Sequence, residues 1–117
     1  MNVNQLIRSA LGDMGMKIYP NFYSGDDEEY ITFSYLDERP EFWADDEPIY
    51  DGTYVRVSLW TRNNPQKYKK QIRKRLRAAG FTVTSTAELY DKEKNYVQIA
   101  VDAEIEGVVN DLSLIHI

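Results

Sequence analysis

A chain of 117 residues with 43% hydrophobic and 28% charged residues has the size of one ordinary domain, expected to span residues 1–109. It contains no cysteine, which removes disulfide frameworks, thiolate nucleophiles and cysteine-ligated zinc, and no apolar run approaches the roughly 18 residues of a membrane-spanning helix. The net charge of -5 conceals a split: eleven carboxylates and one basic residue, Arg39, lie between Asp26 and Asp51, whereas nine basic residues and no acid lie between Arg56 and Arg77.

The N-terminus lacks the basic-then-apolar layout of a signal peptide, so the protein is expected to be intracellular when made. Val3, Leu6, Ile7, Ala10, Leu11 and Met14 instead fall on one helical stripe, with Asn2 or Asn4 as N-cap and Gly15 placed to stop the helix. MKIYP predicts a short extended segment ending near Pro20, and NFYSGDDEE a turn-rich connection. Ile31, Phe33 and Tyr35 alternate with Tyr30, Thr32 and Ser34, the period of a half-buried strand, and Val55, Val57 and Leu59 repeat it.

Between these two strands lies ERPEFWADDEPIYDG, residues 38–52, with six carboxylates, two prolines and three aromatics, read as a long charged loop. Next, NNPQKYKKQIRKRLRAAGF predicts a helix over 65–79: Asn64 can cap, Pro65 suits the first turn and Gly80 the C′ position. Tyr68, Ile72, Leu76 and Ala79 form its narrow apolar stripe, and its lysines and arginines surround the helix more than they line one side. FTVTS opens a strand that TAELY continues or bends, DKEKN has the length of a hairpin turn, and Val97, Ile99, Val101, Ala103 and Ile105 alternate with polar partners along one long antiparallel strand. Each helix has one stripe to bury and the strands one apolar face, so the expected fold is α+β: a two-layer sandwich of a mainly antiparallel sheet with two helices packed on it. Residues 110–117 form an apolar C-terminal tail that fits a docking segment, an oligomer contact or a loose appended end.

The six glycines match neither the dinucleotide-binding fingerprint nor a phosphate-cradling loop. The lone histidine, His116, stands next to the chain end, where nothing would hold its tautomer for a triad. The acids of ADDEPIYDG lack the ligand spacing of a calcium loop, so no metal, cofactor or catalytic residue is expected and the protein reads as a non-enzyme. Phe42 and Trp43 are large aromatics in charged surroundings; they either serve an interface or fold back over an open end of the core. The basic helix suits phosphate contacts, which keeps a small nucleic-acid-binding or regulatory module as the alternative reading, although the acidic total, with a pI near 4.8, argues against direct nucleic-acid binding.

YITFSYLDERPEFWADDEPIYDGTYVRVSLWT, followed by KKQIRKRLRAAGF and a strand ending in EIEG, resembles the small tail-completion proteins of long-tailed phages and Gram-positive prophages, the tail terminator or head-to-tail joining proteins. The similarity covers residues 1–109 and is most distinctive from Tyr35 to Tyr54; DLSLIHI has no counterpart in it. The resemblance implies a structural virion protein at the head-proximal end of the tail, assembled from the host cytoplasm. It also implies a homo-oligomeric ring, typically a hexamer, that caps the tail tube and meets the major tail protein and the head connector proteins, with no cofactor and no membrane. An acidic and a basic block on one chain suit a heterologous contact that closes into such a ring. The expected subunit interface includes Phe42 and Trp43 and sets Asp45, Asp46 and Glu47 of one copy near Lys69, Lys70, Arg73 or Lys74 of a neighbour, either within the ring or across a ring-to-ring contact.

Overall fold

The computed structural model describes residues 2–40, 43–44, 47–48 and 51–106. Helix α1, Val3–Leu11, starts where Asn2 and Gln5 cap each other: Asn2 Oδ1 accepts the Gln5 N–H at 2.8 Å and Gln5 Oε1 accepts the Asn2 N–H at 3.0 Å. The α-helix ends earlier than the glycine pattern predicts. Its last turn tightens into a 3-10 turn, Gly12–Met14, before Gly15 takes the left-handed conformation (φ 77°) that turns the chain toward the sheet.

Five strands form the main sheet: β1 Lys17–Pro20, β2 Glu29–Pro40, β5 Asp51–Thr61, β6 Thr82–Asp91 and β7 Tyr96–Glu106, in the order β1-β2-β5-β7-β6. All neighbours are antiparallel except β1 and β2, which run parallel. Between β2 and β5 lie two short strands, β3 Trp43–Ala44 and β4 Glu47–Pro48, paired with each other. The expected charged loop is therefore largely a hairpin. Pairing of β2 with β5 continues to Pro40 opposite Asp51, while β7 stops with Glu106 opposite Gly52 and β1 with Pro20 opposite Phe33. The hairpin consequently runs past its neighbours as a two-stranded arm.

Helix α2, Gln66–Ala78, follows β5. Asn64 Oδ1 accepts the Gln66 N–H at 3.0 Å, and Pro65 already has helical angles. At the other end Gly80 (φ 101°) lets the Phe81 N–H reach the Leu76 carbonyl and its own N–H reach that of Arg77, which satisfies two end carbonyls and turns Phe81 into the core. Val3, Ile7 and Leu11 of α1 and Tyr68, Ile72 and Leu76 of α2 pack on Ile31, Phe33, Val55, Val57, Leu59, Ile99, Val101, Ala103 and Ile105. This is the α+β arrangement that the two periodicities predict, with both helices on one face.

The opposite face differs from expectation. Tyr30, Thr32, Ser58, Tyr96 and Ala100, placed by alternation on the wet side, are buried. The connection after β1 folds over this face: Tyr23 stacks on Tyr19 with centroids 4.0 Å apart, the Tyr96 hydroxyl donates to the Asp27 carbonyl, and Tyr30 meets Trp60 and Tyr96 at 5.9 and 5.5 Å. Turn-rich sequence hides this second cluster, because its rings are separated along the chain and meet only when the strands pair.

Candidate assembly interface

The predicted interface residues fall into two groups. Phe42, Asp45 and Asp46 lie outside the described residues. Trp43 and Glu47 belong to β3 and β4 near the end of the arm, across from Pro48 and Ala44 respectively. Within the described residues, the carboxylate that meets Lys69 is Glu88 on β6, at 3.6 Å. Lys70, Arg73 and Lys74 meet no carboxylate among the described residues.

The cations of α2 are sorted more sharply than the sequence suggests. Tyr68, Ile72 and Leu76 face the sheet, and Lys67, Lys70, Lys74 and Arg77 are exposed on the opposite side at spacings of three, four and three residues. These four form one outward row rather than a belt. The flanks carry the half-buried Lys69, Arg73 and Arg75. Arg75 reaches α1, donating to the Ala10 carbonyl at 3.3 Å and standing 3.7 Å from Asp13. On the other flank Lys69 and Gln66 both reach Glu88, so this side of the helix overhangs β6.

Elsewhere the charged groups are committed to holding the sheet. Arg56 and Asp102 face each other across β5 and β7 and form a bidentate pair at 2.7 and 3.1 Å. Its hydrogen bonds, aided by Ser85, hold the Asp102 carboxyl below its usual value despite partial burial and raise Arg56 in turn. For Glu29, burial works to raise the carboxyl, but hydrogen bonds from Thr61 (2.7 Å), Tyr68 (2.8 Å) and Asn63, with the charge of Lys67, outweigh it and the group titrates low. Arg62 lies 4.2 Å above the Tyr96 ring and pairs with Asp26 at 3.2 Å.

A cavity of about 230 Å³ opens on the aromatic face, lined in part by Tyr23, Tyr30, Trp60, Asp91, Lys94 and Tyr96. Burial raises the Tyr30 hydroxyl to about 12, so it supplies no base near neutral pH, and Asp91 already accepts the N–H groups of Glu93 and Lys94 at 3.1 and 3.3 Å. No cluster of three or more potential metal ligands occurs among the described residues. No described helix is long and apolar enough to cross a membrane.

The sequence reading missed the aromatic face and the exposed edge of β6, where Leu89 and Tyr90 are 54% and 58% exposed. Nine tyrosines were the available signal for the first. For the second there was none, since strand order decides which strand lies at the edge.

No protein-family model matches the chain, and no curated protein matches it by sequence. Among solved structures, the fold is similar to that of a chain in the virion of a native gene transfer agent particle, with a TM-score of 0.57 at 15% identity. The likeness covers 91% of this chain and 92% of that one, so the two share this α+β fold over nearly their whole lengths.

Proposed function

We propose that this chain is a non-enzymatic structural protein of a phage-like virion, and that it serves as a tail terminator or head-to-tail joining subunit. The observation that carries the reading is the near full-length fold likeness to a chain of a gene transfer agent virion. The resemblance of residues 1–109 to tail-completion proteins supports the same role from the sequence. In this reading the copies form a ring, hexameric in the simplest case, that caps the tail tube and meets the major tail protein on one side and the head connector on the other.

The arm and α2 supply the means of association. An acidic arm extending past the sheet and a basic helix with unmatched cations are different surfaces of one chain, which is what a head-to-tail contact requires. Charge complementarity steers such an encounter and fixes register, while aromatic groups such as Phe42 and Trp43 add affinity. Deleting the gene from its phage or prophage tests the role. Electron microscopy is expected to show filled heads and tails that fail to join; normally joined particles overturn the proposal.

The outward row Lys67, Lys70, Lys74 and Arg77 favours a second reading, direct contact with a nucleic-acid backbone. Four phosphate contacts on a duplex give a log-log salt slope of about -3.6. A slope of that size that shrinks with Lys70→Ala favours this alternative, and salt-insensitive or absent binding removes it.

A further inference from the structure

We infer that copies of this chain join by strand addition, the outer edge of β6 from Ser85 to Asp91 receiving the outer side of β2 from Ser34 to Arg39 of a second copy. The inference deepens the ring reading and rests on it for the identity of the partner. It starts from a contrast between the two edges of the sheet. At one edge β1 is four residues long, begins with Lys17 and ends in Pro20, features that discourage another strand from pairing. At the other, β6 is ten residues long and has neither lysine nor proline. Its guards are the Glu88 carboxylate held beneath α2 and a bulge between Val83 and Ser85, where Thr84 Oγ1 donates to the Asp102 carbonyl; beyond the bulge the ladder with β7 is regular to Asp91. A long regular edge of this kind is a template for main-chain pairing.

The chain carries a matching strand on the opposite side of its own sheet. Because β1 stops opposite Phe33, β2 continues from Ser34 with no strand on its outer side among the described residues, until Pro40 removes a donor. The two stretches have similar lengths. Among the described residues, four of the five exposed large hydrophobic side chains lie on them: Tyr35 (43%) and Leu36 (47%) on β2, Leu89 and Tyr90 on β6. Scattered exposed hydrophobics need no explanation, whereas their concentration on two strand edges does.

Charge selects the same occupant. The α2 flank that overhangs β6 carries Lys69 and Arg73, four residues apart; Glu88 takes Lys69, and Arg73 meets no carboxylate among the described residues. The incoming segment Ser34–Arg39 includes Asp37 and Glu38 in its sequence and no lysine, so its net charge is opposite in sign to that flank. Because the two edges belong to different sides of one sheet, the contact is heterologous, as a ring demands.

The cysteine-free sequence permits a direct test. In the full-length chain, Leu36→Cys and Leu89→Cys together, treated with a short bifunctional thiol reagent, are expected to give a ladder of covalent dimers, trimers and larger species. Either substitution alone is expected to leave the monomer unlinked. The sites are too far apart across the sheet for an internal link. Hydrogen exchange on the unsubstituted protein supplies a second measurement: amides of Ser85–Asp91 and Ser34–Arg39 gain protection as concentration rises. A monomer from the double variant overturns the proposal, and so does a dimer from Leu89→Cys alone, which indicates two β6 edges pairing with each other. If the ladder is absent while gene deletion still leaves heads and tails unjoined, strand addition falls and the virion role stands. A ladder together with normally joined deletion particles gives the reverse.

Discussion

Leu59 and Trp60 are consecutive residues of β5 that point to opposite faces of the sheet, and the two faces are held in different ways. On the side of Leu59, aliphatic residues from both helices and the strands exclude water, so stability follows from the apolar area buried. On the side of Trp60 neither of the described helices is present. The strands are covered by tyrosines and one tryptophan whose polar atoms find partners: Trp60 Nε1 donates to Thr32 Oγ1 at 3.1 Å and Gln98 Nε2 to Ser58 Oγ at 2.9 Å. The contrast teaches that one sheet can spend its apolar residues on a packed core and still bury its polar face, provided each donor and acceptor is matched.

The largest expected effect is on the helix face. Leu59→Ala removes a fully buried side chain and is expected to cost about 2–5 kcal/mol in chemical denaturation, with the spread set by how far the core collapses. On the other face Tyr96→Phe keeps the ring and deletes the hydroxyl that serves the Asp27 carbonyl; a loss of about 1 kcal/mol is expected. A loss as large as that of Leu59→Ala would erase the distinction between the faces.

Glu29, the first residue of β2 and opposite the end of β5, offers a pH-dependent measure. Its carboxyl titrates below the usual value of 4.5 in the folded chain, so its contribution is full above that value and lost as pH falls through the lower folded one. Denaturation midpoints followed downward from pH 5 should therefore show a decline that Glu29→Gln flattens. Tyr68→Phe, which removes one of the donors at 2.8 Å, should weaken it in part.

The smallest effect on stability is expected from the outward row. Lys70→Glu with Lys74→Glu touches no described ion pair and should change folding stability by within about 0.5 kcal/mol. If the row serves assembly, the same variant shifts solution mass toward the monomer, and raising salt does so in the unsubstituted protein. A large loss of stability instead would mean that these cations hold the fold.

Much of this architecture is written in short-range patterns. The Asn2 cap, the Asn64-Pro65 start and Gly80 stop of α2, the alternation along β5 and β7 and the turn at DKEKN each depend on residues within a few positions, where backbone preferences and side-chain period act directly. The arm reads as a loop in sequence because its prolines and acids resemble turn chemistry, whereas pairing of β2 with β5 carries the strands through to Pro40 and Asp51. The α2 cations form a belt by helical spacing alone, which does not say which flank meets α1 and which meets β6.

The sequence by itself determined the two helices, the strands of the main sheet short of the arm, the α+β class and the opposed charge blocks, since all of these follow from local period and composition. Only the tertiary structure decided that Tyr30, Trp60 and Tyr96 would close the second face, that Glu88 would claim Lys69, and that β6 rather than β7 would lie at the edge. Those outcomes depend on strand order and register, which bring together residues up to several tens of positions apart, and no local preference encodes a partner at that distance.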